Sequence, residues 1–522
     1  EPAPNGGRIN IGCFGGTEEA SSAQDIPWIR TVSFGDGGSV SGGVTTLRWT
    51  AGNLAAETAD VEVSVDGGQT WGVSVASGVA ITNGGADWTV EAGLPDTPAA
   101  LWRVVCVETT NLLAQSTNFF AIRKSPLNLY VATDDTNENA YATGPSATNH
   151  WMATAEAPLD SLRAAFARFD LEAGDRIWVD TGRYLDTEPI VVGMKNSGTA
   201  EDPVRVTGNT NDPYLGTVLG RSVRTAGSRI FQISQAGGVH LEALTVSNAW
   251  TGIHLDNTGK AVLERVRAVS CGTNGVQAGA GASVDLNRVL LEKSLVSGLQ
   301  VFTGATVRVR HSLIRDNSKA GILFRGGSLE VRNSVLEAEG TGRVAYYLNG
   351  NGTWVSDFNN IRATDGAYLA GREFGVADRF LIDWQGSSTN DMSSFGYAAR
   401  FADEDGYDFH LLSENGRFDP VEGAFTTNDA VSSRLIDLGD AAPTNEPAPN
   451  GGKVNVGLYG DTPEASKSPE TGALVPLTMS DGGTIRGEAT LYWAFINMGG
   501  ATPVEVRFSW DGGDSWTNIA TG

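Results

Sequence analysis

Four glycines in the middle of the chain recur every 23 residues, and a large apolar residue follows each of them. The glycines are Gly252, Gly275, Gly298 and Gly321, and the apolar residues are Ile253, Val276, Leu299 and Ile322. Four positions before the glycines stand Asn248, Cys271, Ser294 and Asn317. A fixed period of this length is typical of solenoids, in which each coil pairs with the coils above and below it. The pattern predicts a parallel β-helix whose polar residues stack as a ladder and whose glycines make tight bends.

Two other patterns flank these coils. In residues 27–124, Val61, Val63 and Val65 alternate with polar residues before an Asp-Gly-Gly turn, which predicts strands and a hairpin. A run of short strands of this length suits an immunoglobulin-like or fibronectin-type sandwich. In residues 158–171, apolar residues fall on one face at helical spacing and Gly174 follows the last turn, which predicts an amphipathic helix.

A second repeat has a much longer period. The segment Glu1–Ser21 returns as Glu446–Ser466, and Ser64–Trp71 returns as Ser509–Trp516, both 445 residues later. Self-similarity at a fixed offset indicates a tandem array, so we expect the chain to span slightly more than one repeat. The predicted domains are residues 1–26 as the closing segment of a preceding β-helix, 27–124 as a sandwich, 125–466 as a β-helix with its own closing segment, and 467–522 as the start of the next sandwich.

The order of these segments resembles a known architecture. The stretches YVATDD, RIWVDTGRY, LTVSNAWTGI, AVSCGTNGV and LIRDNSKAGI are similar to the right-handed parallel β-helix, or pectin-lyase-like, fold. More narrowly, they resemble β-helix modules that alternate with immunoglobulin-like domains in very large bacterial cell-surface and secreted proteins. The resemblance covers residues 125–466 and 1–21. It implies an all-β protein with a helix over the N-terminal end of the solenoid, in a fold that hosts lyases, hydrolases, adhesins and passive stalks.

The charge and composition of the chain exclude several classes of function. A net charge of −24 and a pI near 4.6 argue against nucleic-acid binding and against docking on anionic lipid. No apolar run reaches the length of a membrane span. The three cysteines lack metal-ligand spacing. We therefore expect an extracellular, cell-surface or secreted protein.

Columns through the 23-residue coils contain few acids. One column reads Glu242, Arg265, Arg288 and His311, and another reads His254, Gln277, Gln300 and Leu323. Because a glycosidase or lyase site needs acids in register, the prediction is that the protein is not an enzyme. Arg265, Arg288 and His311 are candidate contacts for a sulfated or carboxylated glycan. The alternative is a solvated face balanced by Glu242 and Glu264.

One loop carries candidate metal ligands. Asp134, Asp135, Asn137 and Glu138 offer the hard oxygen atoms that calcium prefers. The alternative is an ordinary polar loop that caps the solenoid. No other cofactor is expected.

The sequence thus favours a structural role. The leading hypothesis is a fragment of a tandem-repeat fibre, stalk or filament on a bacterial surface, serving attachment or coating. Its expected partners are neighbouring repeats of the same chain or identical subunits, and surface glycans are a further candidate. The first alternative is a glycan-binding adhesin, and the second is a polysaccharide lyase or hydrolase.

Overall fold

The protein is almost entirely β-sheet. A computed structural model describes residues 2, 9–22, 26–54, 57–109, 111–133, 139–147, 150, 152–373, 377–440, 446–450, 452–498 and 502–521. These residues contain two α-helices, and all other long elements are strands. The chain divides into unit 1 (residues 1–184, 190–207 and 236–239) and unit 2 (residues 185–189, 208–235 and 240–522). The predicted all-β class is confirmed.

The first part of unit 1 forms two sheets around one core. Its strands are β1 (Trp28–Thr31), β2 (Ser39–Val40), β3 (Gly43–Gly52), β4 (Thr58–Ser64), β5 (Val73–Ala80), β6 (Gly85–Val90), β7 (Thr97–Cys106), β8 (Leu113–Gln115) and β9 (Phe120–Ile122). One sheet contains β1, β3 and β6, and the other has the order β2, β9, β7, β4 and β5, with β8 beside β7. Trp49, Trp88 and Trp102 share the core with Val61 and Val63. Val61 and Val63, the alternating apolar residues of β4, therefore point into this core.

The rest of unit 1 contains short strands, most of them parallel, and one helix. Its strands are β10 (Asn128–Val131), β11 (Arg176–Val179), β12 (Gly182–Asp186, divided between the units), β13 (Ile190–Val192) and β14 (Val204–Thr207). Strands β10, β11 and β14 pair in parallel. Helix α1 (Leu162–Arg168) lies within the predicted span, and the Ser161 hydroxyl caps its first turn. The side-chain amide of Asn196 donates to the Phe166 carbonyl, so the end of α1 is fixed to the loop after β13.

Unit 2 contains a right-handed β-solenoid in which each coil contributes one strand to each of three sheets. The strands are β15 (Thr217–Arg221), β16 (Arg229–Ser234), β17 (Val239–Glu242, divided between the units), β18 (Thr245–Ser247), β19 (Thr251–Asp256), β20 (Lys260–Glu264), β21 (Arg267–Val269), β22 (Asn274–Ala278), β23 (Ser283–Asn287), β24 (Leu290–Glu292), β25 (Ser297–Val301), β26 (Thr306–Arg310), β27 (Leu313–Arg315), β28 (Ala320–Phe324), β29 (Gly327–Arg332), β30 (Val335–Glu339), β31 (Val344–Leu348), β32 (Gly352–Asp357), β33 (Asn360–Thr364) and β34 (Tyr368–Arg372).

We call the three parallel sheets of unit 2 the first, second and third sheets. The first sheet contains β20, β23, β26, β29 and β32; the second contains β15, β18, β21, β24, β27, β30 and β33; the third contains β16, β19, β22, β25, β28, β31 and β34. Lys260 pairs with Ser283, and Ser283 pairs with Thr306, each 23 residues apart. This register confirms the predicted coil length. Ala320 pairs with Val344, so that coil has one extra residue, and the glycine spacing ends there.

The repeated glycines lie inside strands of the third sheet and not at bends. A Cβ atom on Gly252 would lie 2.5 Å from the carbonyl oxygen of Gly275, and one on Gly275 would lie 2.8 Å from that of Gly298. Glycine is needed because the backbone of the next coil approaches too closely for a side chain. The bends before these strands have left-handed residues of other types, such as Asn248 and Lys293.

The predicted ladder residues lie at these bends and bond between coils. The Ser294 amide donates to Asn317 Oδ1 at 3.0 Å, across one coil. The Asn317 side chain in turn donates to the Leu291 carbonyl at 3.0 Å, and Asn248 donates to the Arg221 carbonyl at 2.8 Å. Cys271 is a buried free thiol. These bonds satisfy backbone groups that the strand ladders leave open.

A second helix, which the sequence did not predict, covers the last coils of unit 2. In α2 (Leu381–Ser388), Trp384 packs against Trp354 and Tyr346, with ring centroids 6.2 and 5.6 Å apart. Beside it, the buried Asp391 carboxylate accepts hydrogen bonds from four side chains: Ser356, Asn359, Trp384 and Ser394. Burial raises the pKa of Asp391. The aromatic rings and this network shield the inside of the final coil from water.

The chain then returns along the solenoid as a lateral cover, residues 395–477. It contains β35 (Phe401–Asp403), β36 (Asp408–Leu411), β37 (Arg417–Asp419), β38 (Ala424–Thr426) and the start of β39 (Ala473–Pro476). Phe409 and Val456 of the cover share a core with Leu290, Leu313 and Val335 on the outer face of the second sheet. The expected closing segment thus packs against the side of the coils. The strands β40 (Trp493–Ile496), β41 (Glu505–Phe508) and β42 (Thr517–Thr521) follow, and no helix among the described residues is long and apolar enough to cross a membrane.

The cover includes a seam segment, residues 446–466, which is the second copy of the long repeat. The Glu446 carboxylate accepts from the amides of Asn455 (2.5 Å) and Asp461 (3.3 Å) and from the side chain of Asn450 (2.8 Å). Burial raises the pKa of Glu446 to about 7. The Asn455 side chain donates to the Ser466 carbonyl at 2.7 Å and closes the segment into a compact loop.

The raised pKa of Glu446 makes the stability of the seam depend on pH. Between about pH 4.5 and 7 the folded state binds a proton that the unfolded state has lost, so the free energy of unfolding falls as pH rises. We expect Glu446→Gln to gain stability relative to the parent over this range, by up to about 3 kcal/mol. Melting temperatures of both chains from pH 4.5 to 8 measure this difference. Glu488→Gln, on the surface, is the matched control, and a parent-to-variant difference that does not change with pH contradicts the prediction.

Candidate functional site

The three residues predicted as glycan contacts occupy equivalent corners of successive coils. Arg265, Arg288 and His311 all have left-handed backbones, with φ of 52°, 54° and 49°. Each lies between a strand of the first sheet and a strand of the second. Their amides donate to carbonyls of the next coil, those of Asn287, Arg310 and Arg332. The corners therefore follow the solenoid in register, and we call them the corner column.

Both arginines of the column pair with acids of the preceding coil. Arg265 bonds Glu242 at 2.7 Å, and Arg288 bonds Glu264 at 2.9 Å. Arg288 also donates to the carbonyl of Asp461 in the seam segment at 2.8 Å. The guanidinium groups are thus held in place and largely neutralised, and Arg288 ties the lateral cover to the coils.

His311 differs from the two arginines. Its side chain is buried, and burial together with the nearby charges of Arg288 and Arg310 lowers its pKa to about 3. The imidazole is therefore uncharged at neutral pH. It supplies no charge-assisted contact to an acidic ligand, and the glycan contact of the corner column stays a prediction that depends on the arginines.

Arg265 and Arg288 line a groove of about 740 Å³ between the coils and the lateral cover. Its other walls include aromatic and proline side chains, Tyr214, Phe418, Tyr459, Pro213, Pro420 and Pro463, and four acids, Glu242, Glu264, Asp461 and Glu464. Tyr459 stacks on His410 with 3.5 Å between ring centroids, and Phe418 lies 5.6 Å from the same imidazole. A groove with flat rings and fixed polar groups suits a ligand with both apolar faces and hydroxyl groups, such as an oligosaccharide.

His410 fixes the geometry of this wall. Its Nδ1 atom lies 2.5 Å from Asp408, and its Nε2 atom lies 3.7 Å from Glu464. Burial disfavours the charged imidazolium, but the hydrogen bonds and charges of the two carboxylates outweigh it and raise the pKa of His410. The ring beneath Tyr459 therefore carries positive charge over a wider pH range than a free histidine.

The candidate calcium ligands Asp134, Asp135, Asn137 and Glu138 lie outside the described residues. In the part of the chain that the structure describes, one trio has the proximity of a metal site: Glu57, Cys106 and Glu108. The Cys106 thiol donates to Glu57 at 2.5 Å, and burial raises the pKa of this thiol. Because a metal needs the thiolate, these contacts favour the protonated, metal-free state.

A second cleft, of about 350 Å³, opens on the second sheet. It is lined by Glu337, Arg315, Glu404, Tyr407 and Lys293. Within the described part of the chain no basic group reaches ion-pair distance of the Glu337 carboxyl. Burial, with the negative charge of Glu404, raises the pKa of Glu337 to about 7. This carboxyl can take or give a proton near neutral pH, which is the property of a general acid or base.

Several of these residues escaped the sequence prediction. The column that contains Glu337 reads Val269, Glu292, Arg315 and Glu337, and it places acids in register two coils apart. The two columns followed in the sequence lie on other faces of the coil. Phe418 and His410 belong to the non-periodic cover, where no spacing links them to the coils. For Tyr459 the sequence contained one indication, because the equivalent residue of the first copy, Phe14, is also aromatic.

Among the comparisons with known proteins, one family model supports the fold. The family described as "Right handed beta helix region" matches residues 204–371. No curated protein matches the chain. Among solved structures, the chain is similar to an alginate lyase from Paenibacillus sp. str. FPU-7, with 14% identity, a TM-score of 0.27, and 41% of this chain and 93% of that chain covered. It is also similar to ORF18 of Geobacillus virus E2, with 13% identity, a TM-score of 0.24, and 38% and 46% covered.

These findings correct one expectation. The chain was predicted not to be an enzyme because two columns of the coils lack paired acids. The chain matches a right-handed β-helix region, a fold shared with polysaccharide lyases, so this expectation was wrong to exclude an enzyme. The chain therefore contains a right-handed β-helix whose fold is compatible with structural, binding and polysaccharide-directed roles.

Proposed function

We propose that this protein is a structural repeat module of a bacterial surface or secreted filament. In this proposal a β-solenoid with a lateral cover alternates with a smaller β domain, and the pair recurs along a tandem array. Neighbouring repeats of the same kind are the partners, and attachment or coating is the role. The acidic chain, with a net charge of −24, suits a well-solvated extracellular surface.

The observation that carries the proposal is that residues 445 positions apart fold alike. The side chain of Asn10 donates to the Ser21 carbonyl at 2.7 Å, as Asn455 does to Ser466. In the Ser64–Trp71 loop the Thr70 hydroxyl donates to Asp66 at 2.6 Å, and in the second copy Ser515 donates to Asp511 at the same distance. A sequence repeat that also repeats its hydrogen bonds is a structural unit and supports a tandem array.

The spacer in this array is residues 27–124, which we propose to be an immunoglobulin-like sandwich. Two sheets share one core there, and Trp102 lies at its centre with its indole N–H donating to the Ser33 carbonyl at 2.9 Å. Such domains bury their own core and so separate neighbouring solenoids without exposing strand edges to them.

Electron microscopy of the native material tests the array. An antiserum against this chain should label filaments or a surface layer of the producing cells at a regular axial period, one label per repeat. Antiserum absorbed with the purified chain is the control. Labelling confined to the cell interior, or discrete particles without an axial period, would overturn the proposal.

A second candidate function is glycan binding in the groove beside the corner column. The rings of Tyr459 and Phe418, with the fixed N–H donors of the two arginines beside them, favour an oligosaccharide. This role is compatible with the array, because a surface filament with such grooves is an adhesin.

Calorimetric titration with a uronic-acid oligosaccharide tests this second candidate. Arg265→Gln should weaken binding about tenfold or more, because a charge-assisted bond is lost. Arg308→Gln is the matched control, since Arg308 pairs with Asp285 at 3.3 Å outside the groove. Equal affinity of both variants contradicts the assignment. Release of reducing ends in the same samples, and its loss in Glu337→Gln, separates cleavage at the second cleft from binding.

A further inference from the structure

We infer that residues 9–22 form a docking segment, which covers the outer face of the second sheet of a preceding solenoid of this kind. The inference rests on the proposed tandem array and names the surface through which its repeats join. The partner is the preceding repeat of the array. That repeat ends at the position of residue 445, so the segment that covers its second sheet is supplied by the start of the next repeat.

The two copies of the repeat differ most in how far their apolar side chains are exposed to solvent. Val454, Val456 and Leu458 of the seam segment are 4%, 0% and 2% exposed. The equivalent residues of the first copy are Ile9, which is 70% exposed, Ile11, which is 105% exposed, and Cys13, which is also exposed. Phe14, in the place of Tyr459, is 60% exposed. The first copy therefore presents to solvent the apolar stripe that the second copy buries against Leu290, Leu313 and Val335.

The first copy already has the conformation of the docked form. Gly12 and Gly457 both have left-handed φ, of 133° and 119°. The Gly15 amide donates to the Gly12 carbonyl at 3.1 Å, and Gly460 donates to Gly457 at the same distance. A segment that keeps its bound shape when uncovered loses little conformational entropy on docking.

The docking contacts of the seam segment are largely made by its backbone. The Gly457 amide donates to the Asn333 carbonyl, at the corner before β30, at 2.9 Å, and the Val456 amide donates to the Leu435 carbonyl of the preceding part of the cover at 3.1 Å. In the described part of the chain the equivalent amides of Ile11 and Gly12 have no such partner. Because these bonds do not depend on side-chain type, the first copy can make them as well.

Seven side chains differ between the copies, and four of them belong to the apolar stripe. Isoleucine replaces valine at two positions, cysteine replaces Leu458, and phenylalanine replaces Tyr459. All four remain apolar, so the stripe is kept while its volume is redistributed. The receiving side keeps most of its charged anchor, since Arg288 donates to the carbonyl oxygens of Gly460 and Asp461. Its longer ion pair with the Asp461 carboxylate, at 3.9 Å, has no counterpart in the first copy, where glycine takes that place.

A tandem chain tests the docking directly. Residues 1–445 joined to residues 1–522 place a second docking segment directly after a solenoid that has no other seam. Hydrogen exchange followed by mass spectrometry should show the internal Ile11 and Gly12 amides exchanging at least about a hundredfold more slowly than those at the start of the chain. Ile11→Asp at the internal copy should abolish this protection, whereas the same change at the first copy should have no effect.

A substitution series in the single chain gives a second, independent result. Replacing Lys453, Val454, Val456, Leu458, Tyr459, Asp461 and Pro463 by their counterparts of the first copy should keep the seam amides protected. Val456→Asp should remove that protection and lower the melting temperature. Loss of protection in the replaced chain, equal to that of Val456→Asp, would overturn the fit of the first copy to this face.

The outcomes separate this inference from the proposed array. If the tandem chain folds but its internal amides exchange as fast as the first ones, the docking inference is wrong and the array stands. Protection of residues 9–22 in the single chain that grows with protein concentration also overturns it, since it indicates docking between separate chains. Native material without an axial period removes the array itself.

Discussion

The solenoid depends on one constraint: the backbone of each coil finds its hydrogen-bond partners only in the coils beside it. Val262, Asp285 and Arg308 lie opposite one another in the first sheet because each coil repeats the length of the last. The close approach at Gly252 and the bond from Ser294 to Asn317 follow from the same register. A change that shifts the register of one coil therefore affects the hydrogen bonds of all three sheets.

The same constraint creates surfaces that must be covered. The final coils of unit 2 are closed by α2, whose Trp384 packs on Tyr346, and by the neighbouring Asp391, which accepts hydrogen bonds from Ser356 and Asn359 of the last coils. The side of the second sheet is apolar at Leu290 and Leu313, and the lateral cover buries it. The candidate groove is a product of this arrangement, since it forms where the cover meets the corner column. Residues that join the cover to the coils, such as Arg288, therefore also line the candidate binding groove.

The sequence predicted what is periodic and missed what is not. The coil length was correct because Gly252 and its repeats obey a steric rule that recurs in each coil, although their role is close backbone approach and not bending. The ladder bonds of Asn317 could be anticipated from the same period. Helix α2 has too short an apolar face around Trp384 to stand out, and Glu337 lies in a column that the glycine period does not mark. The seam segment was recognised as a repeat, but its contacts with coils more than a hundred residues earlier leave no local pattern.

The lateral cover also has a consequence for the order in which the protein is made. Leu290 is synthesised 166 residues before Val456 of the seam segment, with which it shares a core. At ribosomal rates of about 5–20 residues per second, the bare stripe on the second sheet persists for on the order of ten to thirty seconds. The coils can wind as they emerge, whereas the stripe waits for the far end of its own module. During biosynthesis this side of the solenoid, more than its end, is the surface on which nascent chains can adhere to one another.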